Sequence, residues 1–204
     1  MKVPLPHLHA VTDERIARRP DLERVAAELA AAGAGQLAFH ARGHELSGLE
    51  HYDLSLRLAA YPPTRLFIND RLDIALAVGA AGVHLGRGSL PVDAARRLDP
   101  TWWIGKSVHD LDEARAAQAE GADYLFLGPV FPTATHPDRA PVGLGVLRDV
   151  ARLGLPVVAI GGVTVERVRG IRDAGAYGVA AIRAVWDAPE PAVPVRRMLK
   201  ELTP

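Results

Sequence analysis

The amino-acid sequence predicts an α/β fold, a single-domain (βα)8 TIM barrel with a closed parallel sheet over residues 1–204. Three observations lead to this prediction: short apolar segments alternate with helical patterns, one glycine-containing motif occurs four times, and 204 residues suit one domain. Such alternation requires parallel pairing with right-handed crossovers, and eight units can close into a barrel. The predicted strands are Leu8–Val11, Gln36–His40, Leu66–Ile68, Gly82–His84, Trp103–Ser107, Tyr124–Leu127, Val157–Ile160 and Gly178–Ile182.

The recurring motif places a turn of small residues between a helix and the next strand. It reads Ala-Ala-Gly-Ala-Gly-Gln-Leu at 31–37, and related sequences follow at 78–83, 119–124 and 173–179. Its glycines, Gly33, Gly79, Gly121 and Gly175, fit the left-handed position just after a helix. The predicted helices before them are Leu22–Ala32, Leu72–Val78, Leu111–Glu120 and Glu166–Ala174.

An open, doubly wound sheet is the structural alternative to the barrel. The dinucleotide-binding form of that sheet has a glycine-rich fingerprint after its first strand. Here Thr12, Asp13 and Glu14 follow the first predicted strand instead. This departure favours the closed barrel.

Composition excludes several classes of function. Lys and Arg total 24 and balance 24 Asp and Glu, so net charge gives no sign of a nucleic-acid or membrane partner. The absence of Cys excludes disulfides, thiolate catalysis and Cys-ligated metals. No apolar run approaches the roughly 18 residues needed to span a bilayer. We therefore expect a soluble, cytoplasmic protein, and the sequence leaves open whether it forms a homo-oligomer.

Polar side chains follow nearly every predicted strand, whereas the strands themselves are mostly apolar. In a barrel, functional residues lie at the carboxyl ends of the strands. The residues at these ends are Thr12, Asp13, His40, Arg42, Asn69, Asp70, Arg71, His84, Ser107, His109, Thr133, Thr135, His136, Gly161, Gly162 and Arg183.

The pair Gly161 and Gly162 follows the seventh strand and precedes a helix, which predicts a phosphate site. Paired glycines let backbone N–H groups approach a phosphate, and the loops after strands seven and eight are the usual phosphate site of barrels. Ile182 and Arg183, at the end of the eighth strand, are expected to contribute to the same site. A tight turn at the glycines, or a surface ion pair for Arg183, is the alternative.

The histidines divide by position. His9 and His84 lie inside predicted strands and read as hydrogen-bonded core residues, whereas His44 and His51 fall in a polar stretch and are expected to be solvated. Three others follow strands and could act as general acid or base near neutral pH. These are His40, His109 and His136.

A set of motifs runs in order along nearly the whole chain. It begins at Leu8-His-Ala-Val-Thr-Asp and includes Ile68-Asn-Asp-Arg-Leu-Asp-Ile-Ala, Gly82-Val-His-Leu-Gly, Gly105-Lys-Ser-Val-His, Gly128-Pro-Val-Phe-Pro-Thr-Ala-Thr and Val158-Ala-Ile-Gly-Gly-Val. This ordered set resembles the thiamine phosphate synthase and TenI superfamily of barrels. The resemblance implies a role in thiamine biosynthesis and a small phosphorylated thiazole as ligand.

The synthases of this superfamily join a pyrimidine pyrophosphate to a thiazole phosphate, and this chain departs from their pattern. His40 and Arg42 occupy the positions of the basic pair that holds the pyrophosphate, and His136 replaces a lysine. Asp70 matches one magnesium carboxylate, but Ser89 stands at the other. Asn69 and Asp70 could also simply begin the next helix. We therefore expect no metal and no cofactor, with Mg²⁺ through Asp70 only if the chain is a synthase.

The TenI branch is the closer resemblance in small details, such as Gly88-Ser89-Leu90 and Ser107-Val-His109. It implies a thiazole tautomerase, an isomerase that moves a proton in a carboxythiazole phosphate. Pro129 occupies the position of the branch's catalytic histidine, so His136 or His109 is the predicted acid/base group. The alternatives are a thiamine phosphate synthase and a non-catalytic protein that binds a phosphorylated ligand. The predicted substrate-binding residues are His40, Arg42, Asn69, Ser107, Thr133 and Thr135.

Overall fold

The computed structural model describes residues 3–133 and 139–203 and has the predicted architecture. Eight parallel strands close into one barrel in chain order, and the first strand pairs with both the second and the eighth. The strands are β1 (Leu8–Val11), β2 (Leu37–Ala41), β3 (Arg65–Asn69), β4 (Gly82–Leu85), β5 (Trp103–Val108), β6 (Tyr124–Leu127), β7 (Val157–Ile160) and β8 (Gly178–Ala181). The doubly wound alternative is thus excluded.

Helices surround the barrel. In the described part of the chain they are α1 (Glu14–Ala17), α2 (Leu22–Gly33), α3 (Gly48–Ala59), α4 (Leu72–Ala77), α5 (Val92–Leu98), α6 (Leu111–Ala119), α7 (Gly143–Ala151), α8 (Val165–Asp173), α9 (Arg183–Trp186) and α10 (Ala192–Leu202). Side chains begin several of them: Asp13 accepts from the Ile16 amide at α1, and Ser47 forms a capping box with Glu50 at α3. No helix in the described ranges is long and apolar enough to cross a bilayer.

The structure corrects one predicted turn. Gly79, Gly121 and Gly175 have φ of +63°, +86° and +98°, as expected after a helix. Gly33 instead ends α2 in helical conformation, and Ala34 and Gly35 take the left-handed positions at φ +45° and +82°. A side chain at Gly33 would lie 2.4 Å from Cβ of Leu37, so close packing against β2 explains this glycine.

The core has two layers. The larger lies between barrel and helices and includes Leu29, Leu54, Val83 and Trp186. The smaller fills the barrel itself, where aromatic residues pack beside three buried histidines. The inward residues include Leu5, Val11, Phe67, Tyr124, Phe126, Val158, His9, His40 and His84. The filled interior leaves the carboxyl ends of the strands as the place for a cavity.

Candidate active site

A cavity of about 540 Å³ opens at the carboxyl ends of the strands. Most of the predicted site residues line it. His40 does not, because it lies within β2 and is fully buried below the cavity. Thr135 and His136 lie outside the described residues. The predicted residues that line the cavity are Arg42, Asn69, Ser107, His109, Thr133, Gly161, Gly162, Ile182 and Arg183.

The cavity wall is positively charged. Four arginines line it, Arg42, Arg139, Arg167 and Arg183, and none of the described lining residues is acidic. Guanidinium groups bind phosphate and pyrophosphate oxygens in bidentate fashion. Such a wall favours an anionic ligand. Sequence reasoning did not single out Arg139 or Arg167; Arg167 had one signal, its position in the first turn of the helix after the glycine pair.

The glycine pair lies where two loops meet. Gly161 and Gly162 have φ of +93° and +64°, and a Cβ at Gly162 would stand 2.5 Å from the Pro132 carbonyl oxygen. The loop after β6 runs alongside: the Val130 amide donates to the Ile160 carbonyl at 2.9 Å, and the Phe131 amide donates to the Gly161 carbonyl at 3.1 Å. Both the backbone conformation and this close approach require glycine.

Arg167 contacts both of these loops and connects them. Its Nη1 donates to the Gly162 carbonyl at 2.5 Å, and its guanidinium stacks over the Phe131 ring with Cζ 4.5 Å from the centroid. The first turns of α8 and of the short α9 begin at this wall, and neither has a side-chain cap. In α8 the Arg167 amide donates to the Thr164 carbonyl at 3.1 Å and the Glu166 amide donates to its own carboxylate, so an anion would meet the Val165 amide at the start of the helix.

Arg183 is the first residue of α9 and lines the same wall. It forms no ion pair with any described residue, so the surface ion pair that the sequence left open is not formed within the described chain. Arg183 lines the same cavity as Gly162. Ile182 precedes it as the cap position of α9 and lines the cavity with it.

His109 is held on both ring nitrogens. Its Nδ1 lies 2.8 Å from Oε2 of Glu113, and its Nε2 accepts a hydrogen bond from Nη1 of Arg139 at 2.8 Å. Arg87 donates to the other oxygen of Glu113 at 2.7 Å. In this arrangement both ring nitrogens already have partners, Glu113 and Arg139, and neither is free for a substrate. The ring instead positions Arg139 at the cavity.

A hydrogen-bonded chain of side chains lies under the cavity. Nε2 of His9 is 2.9 Å from the Pro6 carbonyl, Nδ1 of His9 is 2.8 Å from Nε2 of His40, and Nδ1 of His40 is 3.4 Å from the Asn69 amide. Desolvation holds the pKa of His9 at about 3 and that of His40 well below its ordinary value. Both rings are therefore neutral at pH 7.

His84 connects the barrel interior to the cavity wall. Its Nε2 lies 2.8 Å from Oγ of Ser107, and desolvation lowers its pKa to about 3. His9 and His84 are thus buried core histidines, as predicted. The expectation that His51 is solvated is wrong, because it is buried and its Nε2 donates to the Ala41 carbonyl at 2.9 Å.

Asp70 is hydrogen-bonded to the loop after β4. Its Oδ1 accepts hydrogen bonds from the Gly86 amide at 2.8 Å and from the Ser89 hydroxyl. Ser89 adds no negative charge, and Asp70 is not among the described cavity-lining residues. No group of three or more His, Asp or Glu within the described ranges could hold a metal ion. These residues do not fit Mg²⁺ by themselves, so no step is assigned to it.

Comparison with known families gives one match over most of the chain, to the thiamine monophosphate synthase family over residues 8–185. The chain belongs to this family. Family members of similar length are close in sequence. The chain is 40% identical to the thiamine-phosphate synthase of Methanospirillum hungatei, covering 93% of this chain and 94% of that protein. It is 41% identical to the thiamine-phosphate synthase of Salinispora tropica, covering 98% of both.

A solved structure shows the same agreement. The thiamine phosphate pyrophosphorylase from Pyrococcus furiosus superposes with a TM-score of 0.82 at 32% identity, covering 96% of this chain and 94% of that one. The 3-hexulose-6-phosphate synthase from Salmonella typhimurium, with a TM-score of 0.74 at 16% identity, shares the fold alone.

These relatives correct the functional prediction. The prediction of a thiazole tautomerase, an isomerase, is wrong, because relatives 37–41% identical over most of the chain are thiamine-phosphate synthases. The closer resemblance to the TenI branch is not confirmed. It depended on a few positions, such as Ser89 and His109, whereas the identity to the synthases extends over most of the chain.

Proposed function

We propose that this protein is a transferase that makes thiamine phosphate from a pyrimidine pyrophosphate and a thiazole phosphate. In this reaction the bond between the pyrimidine-bearing carbon and the pyrophosphate oxygen breaks, and a bond from that carbon to the thiazole forms. One observation supports the proposal above all: four arginines and no acidic residue among the described residues line the cavity of a chain in this family.

Two ends of the cavity suit two anionic groups. Gly162, Arg167 and Arg183 lie at the ends of β7 and β8, where barrels bind a monophosphate. Arg42 follows β2, two strands from β8. Arg139 lies in the loop after β6, beside β7, but its guanidinium is hydrogen-bonded to His109 at the end of β5, on the side away from the glycine pair. We assign the thiazole phosphate to the first group and the pyrophosphate to the second.

Arginine side chains stabilise a pyrophosphate leaving group by electrostatics. Negative charge grows on the leaving oxygen as its bond breaks, and donors already aimed at it lower the barrier. Arg139 is held by His109, and His109 is held by Glu113, so this guanidinium is oriented before the ligand arrives. Ser107 and Thr133, also in the wall, can donate to pyrophosphate oxygens.

Incubation of the purified protein with both substrates tests the proposal directly. We expect thiamine phosphate and inorganic pyrophosphate to appear in equal amounts, measured by chromatography and a pyrophosphate assay. The reaction is run both with Mg²⁺ and with a chelator, which measures whether the ion is required. Binding of both substrates with no product under either condition would overturn the transferase and support the binding-only alternative.

A further inference from the structure

The chain from Pro6 to Asn69 has a fixed hydrogen-bond direction. The Pro6 carbonyl can only accept, so His9 carries its proton on Nε2. A neutral His9 then accepts at Nδ1, and His40 must donate to it from Nε2. A neutral His40 is left with an acceptor at Nδ1. With both rings neutral, the Pro6 carbonyl thus determines which nitrogen of each ring carries the proton.

Asn69 lies at the end of this chain. The His40 Nδ1 acceptor requires a donor, and the donor of an amide is Nδ2. With Oδ1 facing His40 at 3.4 Å, two acceptors would meet. A 180° turn of the amide exchanges the two groups and moves no other atom. In the orientation that gives His40 Nδ1 a donor, Nδ2 of Asn69 therefore faces His40. Oδ1 then faces the opposite way, toward the cavity that Asn69 lines.

We propose that His9 and His40 are positioning residues that hold the Asn69 carbonyl oxygen toward the cavity, where it accepts a hydrogen bond from an N–H group of the ligand. Asn69 then selects a nitrogen-bearing ring and not a phosphate oxygen, since two acceptors repel. The assignment of this N–H to the pyrimidine substrate rests on the proposed function. The orientation of the Asn69 amide does not depend on the proposed function.

Nuclear magnetic resonance tests the orientation in the wild-type protein. Two-bond hydrogen–nitrogen spectra of the histidine rings distinguish the tautomers, and we expect His9 and His40 to be neutral with the proton on Nε2 from pH 8 to about 5. His40 with its proton on Nδ1, or charged in this range, would place Oδ1 on His40 and overturn the proposal. This measurement needs no variant and no turnover.

Ligand binding tests the selectivity. The probes are a pyrimidine with an exocyclic amine, the same pyrimidine with a methyl group in its place, and inorganic pyrophosphate. In wild type we expect the amine to bind more tightly than the methyl compound. In Asn69→Leu we expect amine binding to weaken about three- to tenfold, with methyl and pyrophosphate binding within about twofold of wild type. Weakened pyrophosphate binding with unchanged amine binding would overturn the proposal.

His40→Leu separates positioning from folding. It leaves the Asn69 amide free to rotate, so the preference for the amine over the methyl compound should fall toward one, while pyrophosphate binding persists. A merely structural defect would weaken all three probes together, and an unchanged preference would exclude the positioning role. Failure to form thiamine phosphate, by contrast, would remove the proposed function and leave the tautomer result standing.

Discussion

Ser89 donates its hydroxyl hydrogen to Oδ1 of Asp70, and so joins the loop after β4 to the loop after β3. Asp70 reaches this contact from a left-handed backbone with φ of +62°. Two carboxylates here would repel each other, whereas a hydroxyl and a carboxylate form a hydrogen bond. The pair is therefore stable without a cation.

Ser89→Asp should create a dependence on Mg²⁺. The new carboxylate repels Asp70, and a bound cation removes the repulsion. We expect Mg²⁺ well above its dissociation constant to raise the free energy of unfolding of this variant by about 1–3 kcal/mol. Wild type and the neutral Ser89→Asn variant should show no such gain in thermal unfolding experiments. An equal gain in wild type would show that Asp70 binds the ion without a second carboxylate.

Gly162→Ala should destabilise the protein and weaken phosphate binding. The methyl group would meet the Pro132 carbonyl oxygen at 2.5 Å in a backbone at φ +64°. We expect a loss of about 1–3 kcal/mol in the free energy of unfolding, measured with urea. Gly145→Ala is the control, because this helical glycine has open space around its Cβ and should gain about 0.5–1 kcal/mol. Equal effects of both substitutions would contradict the close approach at Gly162.

Arg183→Gln should weaken binding of the thiazole phosphate. A hydrogen bond to a charged group contributes about 1.5–3 kcal/mol, so we expect its KM to rise roughly 10- to 100-fold. The KM for the pyrimidine pyrophosphate should change little, because that ligand is assigned to Arg42 and Arg139. Arg152→Gln is the control: Arg152 is exposed at the end of α7 and pairs with Asp149. If both substrates lose affinity equally, the two-ended cavity is wrong.

The buried histidines should make stability fall in acid. The pKa values of His9 and His84 are about 3 in the folded protein, and burial also lowers that of His40, against about 6.5 in the unfolded chain. Between pH 6.5 and 3 the unfolded chain therefore binds protons that the folded protein does not, and the free energy of unfolding falls as pH falls. The slope approaches about 1.4 kcal/mol per pH unit for each histidine.

Urea unfolding between pH 7 and 4.5 measures this slope. His84→Leu should reduce the slope, because the variant lacks one of the histidines whose pKa is lowered by burial. His44→Leu should not, because His44 is exposed. An unchanged slope in His84→Leu would mean that other groups cause the acid sensitivity.

Most of the fold is predictable from the sequence because its strands are short apolar segments bounded by glycine turns. Small errors arise where packing, and not backbone conformation, explains a glycine. Gly33 is predicted to be left-handed, but it is a glycine because a side chain there would collide with Leu37. His51 looks solvated because its neighbours in sequence are polar, but the fold buries it against the Ala41 carbonyl. Contacts that form only in the folded chain determine both outcomes.

The site is less predictable, because a sequence shows where a residue lies along the chain but not where its side chain points. Arg42, Asn69 and Ser107 are found because they follow or end strands. Arg167 lies on a helix, and its role depends on Phe131 in another loop. The tautomerase prediction used single positions such as Ser89 and His109, which cannot outweigh similarity over most of the chain.

The carbonyl of Pro6 lies before β1, at the amino end of the barrel, yet it sets the proton positions that reach Asn69 at the opposite end. Substrate preference can therefore change without any substitution near the cavity. A change of backbone path before His9, by deletion or by a fused peptide, would shift the first acceptor. The amino-terminal segment should accordingly be treated as part of the recognition apparatus in any effort to redesign what this barrel accepts.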